Sequence, residues 1–213
     1  MRETILFICA HNDDQIIGGG GTFAKYAHEG KHVKTVIFSY GEKSHPHLKP
    51  HIIIRTRIKE AKVSERILGG KGLVFLGLNE GKFGQEAQRV KEQLLELIRK
   101  EKPTKIFTHS QDDFHYDHRA VHHIVRELVK EHKLKCDIYT FDVWNPLKIL
   151  KRNVPKLVVD ISDTFKTKMK AYEAHESQVN LPAMLPFRLR MWIDAILYGW
   201  SNQCRYAELF YKL

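Results

Sequence analysis

Cysteine is scarce in this 213-residue chain: Cys9, Cys136 and Cys204 are an odd set with no C-x-x-C pair among them. That excludes a disulfide framework or a cysteine zinc ribbon and suits reduced interior thiols. Long apolar runs are missing too, none approaching the roughly 18 residues that read as a membrane span. Met1 leads into a strand-like run with no basic segment, apolar stretch or cleavage signal before it. A cytoplasmic protein without an integral membrane segment is expected. Acidic residues are outnumbered, 25 against 35 Lys and Arg, for a net charge of +10. Such an excess draws anions, but no nucleic-acid motif or aromatic-interleaved basic stretch accompanies it, so no nucleic-acid partner is expected. The length suits one domain over residues 1–213.

What is present alternates between strand and helix. Ile5 to Cys9 is a short apolar run without polar alternation, as in a strand covered on both faces. The glycines Gly18 to Gly21 are expected to turn the chain tightly into a helix over 16–29, which Gly30 stops. Strands follow at 33–38, 73–78, 106–109, 136–143 and 156–160. Helices are expected at 52–68, 88–100 and 119–130, with another opened by Ser162 or Asp163 as its cap. This order predicts an α/β fold, a single-domain Rossmann-like three-layer sandwich with a mostly parallel sheet. The glycine run lacks the G-x-G-x-x-G spacing of a dinucleotide site.

Two polar clusters follow strands, where open α/β sheets bind ligands. The first is His11-Asn12-Asp13-Asp14-Gln15, an imidazole and adjacent carboxylates of the kind a hard or borderline dication accepts, unless the aspartates only cap the next helix. The second is Asp112-Asp113-Phe114-His115-Tyr116-Asp117-His118. Spacing leaves His115, His118 and His122 all open as ligands. The loop over residues 39–51, broken by Pro46 and Pro50, is a wall or lid over the same edge. Its His45, His47 and His51 lack an acidic partner at ligand spacing. Arg57 and Glu60 read by themselves as a surface pair, and Arg55 is close enough to compete for the role of Arg57.

Together these stretches resemble the LmbE and PIG-L family of zinc-dependent N-acetylglucosaminyl deacetylases. Ala10 to Gln15 is similar to its A-H-P-D-D-E signature, with Asn12 for proline and Gln15 for glutamate. His115 to His118 is similar to H-P-D-H, with Tyr116 for proline. Further likenesses run from Arg57-Ile58-Lys59-Glu60-Ala61 through the turn at Asn79-Glu80-Gly81 and the segment Lys168 to Gln178 to the closing Tyr206-Ala207-Glu208. The resemblance implies one catalytic Zn2+ held by His11, Asp14 and His118, with other divalent metals possible. It implies Asp13 as general base, His115 as oxyanion or leaving-group partner and Asp117 as an orienting carboxylate. Arg57, Gln15 and His175 become substrate contacts, and the substrate an N-acetylglucosamine-containing small molecule or short oligosaccharide. An amidase acting on a non-sugar acylated amine and a non-enzymatic metabolite-binding module are the alternatives.

The last third is less specific. Lys148, Lys151, Arg152 and Lys156 read better as a solvated connection than as an anion patch. Met191, Trp192, Ile193, Ile196, Leu197 and Trp200 recur at helical spacing, a face suited to core or to subunit contact, which leaves a homo-oligomer open.

Overall fold

The computed structural model describes residues 3–145 and 154–213. Strand β1 (Thr4–Cys9) leads into helix α1 (Asp14–His28), β2 (His32–Ser39), α2 (Pro50–Leu68) and β3 (Leu73–Leu78). Then come α3 (Ala87–Glu101), β4 (Lys105–His109), α4 (Tyr116–His132), β5 (Asp137–Phe141) and β6 (Lys156–Asp160). Helices α5 (Phe165–Glu173), α6 (Glu176–Val179) and α7 (Leu185–Ser201) precede β7 (Ala207–Lys212). All seven strands form one sheet in the order β3-β2-β1-β4-β5-β7-β6. Strands β1 to β5 pair in parallel, while β7 runs antiparallel between β5 and β6.

Strand β1 explains the arrangement. Ile5, Phe7 and Cys9 point into a core filled by α1, α5 and α7, and Leu6 and Ile8 into one filled by α3 and α4. A strand with helices on both faces needs apolar residues at every position, hence the unbroken run. Phe7 stacks on Phe107 at 4.7 Å between ring centroids, tying β1 to β4. From β1 the chain builds outward to β2 and β3, then returns to lay β4 on the other side. The carboxyl ends of β1 and β4 therefore flank the switch point, where such sheets open a crevice.

Two expectations need correction, and one strand was not foreseen. The glycine run is not the turn into α1 but lies inside it. A Cβ on Gly18 would sit 2.2 Å from the Phe141 ring and one on Gly21 2.6 Å from Ile161, so close packing onto the sheet demands glycine there. Neither Ser162 nor Asp163 caps α5, which starts at Phe165; the Thr164 hydroxyl donates to the Gly21 carbonyl instead. The segment at 206–210, read only for its family likeness, forms an interior strand. Lys148, Lys151 and Arg152 lie outside the described residues.

Candidate metal centre and active site

The loop after β1 folds back on itself. Asp14, in the first turn of α1, accepts a hydrogen bond from the His11 amide at 2.7 Å, and Asp13 at the N-cap makes no side-chain cap bond. Helix capping therefore does not account for this pair. The segment after β4 brings His118, in the first turn of α4, across to meet them. His11 Nδ1 lies 3.2 Å from His118 Nε2 and 3.5 Å from Asp14 Oδ2, and His118 Nε2 lies 3.3 Å from Asp14 Oδ1. Donors about 2.0–2.1 Å from a shared tetrahedral centre stand roughly 3.3–3.4 Å apart, so this His2Asp set, reached through the two Asp14 oxygens, has a spacing that a divalent cation can accept.

The surrounding charge suits a cation. Burial works against a charged imidazole at His11, but the Asp117 and Asp14 carboxylates outweigh it and raise its pKa to about 10. At His118 burial is likewise overcome, by Asp14 and Asp113, and the pKa rises to about 9. Burial would raise the Asp14 pKa, yet the His118 and His109 imidazoles hold it well below the ordinary range. The pocket thus stabilises positive charge where the three donors converge.

Around this set stands a buried support. Asp113 Oδ1 faces His118 Nδ1 at 3.0 Å, the carboxylate contact that orients a metal-binding imidazole. Asp113 also accepts from the amides of His115, Val143 and Trp144, which fixes it in turn. His109, fully buried at the end of β4, lies 3.1 Å from Asp14 through Nε2, the atom that also accepts from the Ala10 amide at 3.0 Å. Burial and the neighbouring His118 lower its pKa.

The remaining predicted residues separate into two groups. Asp13 and His115 line the cleft with the His2Asp set. Arg57, buried on α2, lines it too and reaches Asp13 Oδ1 at 3.3 Å and the Gly41 carbonyl at 3.3 Å. His115 caps α4, its Nδ1 accepting from the Asp117 amide. Burial, then the His118 and His11 imidazoles, lower its pKa to about 4. The ring is thus neutral with its proton on Nε2. The Asp117 carboxylate takes the Gly81 amide and stands 3.6 Å from His11 Nε2, so it serves His11 and not His115. Gln15 and His175 are absent from the cleft lining. Gln15 is fully buried and donates to the Asn12 carbonyl, and His175, also fully buried, pairs with the Ser64 hydroxyl at 3.0 Å. His122, open on spacing alone, turns Nδ1 to the His109 carbonyl.

Sequence reasoning missed Asp113, His109, Glu80, Ser44, Trp144 and Gln178. Asp113 stands inside the second cluster, two residues before His115, and Glu80 and Gln178 fall in family-like segments, but none of the six has a role in the site on sequence grounds. Glu80, read as part of a structural turn, stands 3.7 Å from His11 Nε2. The cleft, of about 140 Å3, takes its apolar wall from Ile17, Val143, Trp144, Met184 and Phe187. An apolar wall facing a few convergent polar groups is the make-up of a small-molecule site.

Comparison with known proteins agrees with this geometry. Diacetylchitobiose deacetylase of Thermococcus kodakarensis is 26% identical over 97% of this chain and 81% of its own length. A 1D-myo-inositol 2-acetamido-2-deoxy-alpha-D-glucopyranoside deacetylase of Thermomonospora curvata is 29% identical over 73% of this chain, which spans 61% of that enzyme. Among solved structures, N,N'-diacetylchitobiose deacetylase from Pyrococcus horikoshii superposes with a TM-score of 0.82 at 25% identity, covering 99% of this chain and 84% of that one. The profile of the family described as PIG-L, GlcNAc-PI de-N-acetylase, matches residues 6–129, more than half of the chain and the stretch that carries both polar clusters. The chain belongs to the PIG-L family of N-deacetylases.

Proposed function

We propose that this protein is a zinc-dependent hydrolase that removes the N-acetyl group from an N-acetylglucosamine-containing small molecule or short oligosaccharide. The observation that carries the reading is the convergence of His11, Asp14 and His118 at tetrahedral spacing, beside Asp13 in one cleft. Its relatives act on N-acetylated glucosamine units, as their names state.

His11, Asp14 and His118 would hold the ion, which when bound supplies Lewis acidity and a water of lowered pKa. Asp13 sits next in the chain to Asp14, and the Arg57 guanidinium holds its carboxylate in place. It accepts a proton as water adds to the acetamide carbon. His115, neutral with its proton on Nε2, donates a hydrogen bond to the developing oxyanion. When the C–N bond breaks, Asp13 returns its proton to the departing amine, leaving acetate and a free amino sugar. Trp144 and Phe187, packed edge to face at 4.6 Å, give the sugar ring an apolar wall.

The test is acetate release from a panel of N-acetylated amino sugars by zinc-loaded protein, beside Asp13→Ala with metal content measured. Release from the wild type, lost in the variant while zinc is kept, supports the reading. Release only from non-sugar acylated amines leaves the centre standing and moves the substrate. A wild type that retains no metal overturns the reading.

A further inference from the structure

Helix α7 has apolar residues on both faces. Phe187, Met191, Ala195 and Gly199 are buried against the sheet. The outer face carries Leu185, Leu189, Trp192, Ile193, Ile196, Leu197 and Trp200, each 40–58% exposed except Trp200 at 81%. A helix apolar all round belongs in an interior. Scattered exposed leucines need no explanation, but seven large apolar side chains on one helix exceed the few hundred Å2 of a usual monomer patch. They present on the order of 800 Å2, the share of one partner in a standard interface.

We infer that this face of α7 pairs with α7 of a second copy of the chain, antiparallel about a two-fold axis between Trp192 and Ile193. Three observations select a second copy. The area suffices for a dimer. The stripe follows helix-on-helix spacing, Leu185, Leu189, Trp192 and Ile196 being four, three and four residues apart. The stripe is also self-complementary, which a two-fold interface requires. Reversed about its midpoint it sets Leu185 against Trp200, Leu189 against Ile196 and Trp192 against Ile193 of the partner subunit, while Leu197 meets the aliphatic stem of Arg188. The charges beside the stripe are already matched, Arg188 to Glu173 at 3.0 Å and Arg190 to Asp194 at 3.2 Å. Both arginines of α7 are thus paired, which weakens the case for an anionic membrane as the occupant.

Sedimentation of the zinc-loaded protein at micromolar concentrations tests this, with Leu189→Glu, Ile196→Lys and an equimolar mixture of the two. Wild type is expected at twice the 24.9 kDa of the chain. Each single variant should be monomeric, with self-association weakened at least about 100-fold and the melting temperature of the monomer kept, since both positions are exposed. The mixture should regain dimer mass, because the antiparallel register sets the introduced carboxylate of one variant beside the introduced ammonium of the other only across the axis. A monomeric wild type, or single variants that stay dimeric, overturns the inference. A mixture that stays monomeric overturns the register. A monomer that co-sediments with phosphatidylserine vesicles through these residues gives the face to lipid and overturns it as well.

Discussion

At its first turn helix α1 holds Asp14 among His11, His109 and His118. Beyond a non-helical break at Gly19, the amides of Gly21 and Thr22 donate to Glu208 at 3.0 and 2.7 Å. Lys168 neutralises Glu208 at 2.6 Å and also takes the Ile17 carbonyl, which the break leaves without a helical donor. Both clusters are buried and both grip the same helix, but they differ in completeness. The Lys168–Glu208 pair is closed: one cation, one anion, and backbone groups that satisfy the rest. In the first cluster carboxylates face imidazoles instead of fixed cations, and lone pairs converge on one point. A closed buried pair maintains a fold, whereas an open one waits for a ligand.

The two can be separated by substitution. His118→Ala is expected to weaken zinc retention at least about a thousandfold and abolish acetate release. Metal analysis after dialysis checks this, and zinc kept at one per chain would refute the ligand assignment. Lys168→Met should do the reverse. An uncompensated Glu208 costs about 3–5 kcal/mol, some 6–20 °C in Tm for a chain of this size, while zinc affinity of the folded fraction moves less than tenfold. Calorimetry and zinc titration read the two effects independently. Asp113→Asn keeps the shape beside His118 but removes the charge, and a 10–100-fold loss of zinc affinity with little change in Tm is expected.

Glu65 supplies the smallest and sharpest contrast, a buried carboxyl with neither cation nor metal. Burial raises its pKa to about 8, against the lowering effect of the Thr35 hydroxyl and Gly72 amide. The folded protein then binds a proton that the unfolded chain releases near the ordinary carboxyl pKa of 4.5. The contribution of Glu65 to stability therefore falls as pH rises from about 4.5 to about 8. Glu65→Gln should flatten that slope and raise Tm at pH 8 by a few degrees while leaving pH 5 nearly unchanged. Thermal melts across this range decide it; parallel slopes would show that Glu65 is ionised in the fold.

Most of the fold was legible because periodicity is a local property. β3 and β6 match their sequence-read spans at both ends, and β1, β2 and β4 lie within one residue of theirs. β7, Ala-Glu-Leu-Phe-Tyr-Lys, escaped because its pairing with β5 and β6 is long-range and leaves no local mark. In the cleft, the residues with diagnostic chemistry at close spacing stood out: His11, Asp13, Asp14, His115 and His118. Residues that matter only through what they touch did not. Nothing in the sequence aims Asp113 at His118 Nδ1, and nothing reveals that the Lys168 and Glu208 likenesses meet each other and not a substrate. Gln15 and His175 show the same limit from the other side, since adjacency in a motif does not tell whether a side chain faces the cleft or the interior.

Strand β7 follows every other element in the chain, yet it lies inside the sheet, and it carries Glu208. A chain made from its N-terminus therefore completes both polar clusters, and the whole of residues 6–129, before the carboxylate that mends the break in α1 exists. Until residue 208 emerges, β5 has no antiparallel partner, β6 has no neighbour, and the Gly21 and Thr22 amides lack an acceptor. Folding must wait for contacts 186 and 187 residues apart in sequence, the kind of long-range closure that slows a chain and exposes its edges to other molecules. Synthesis order thus makes the C-terminal strand the gatekeeper of a site to which it contributes no ligand.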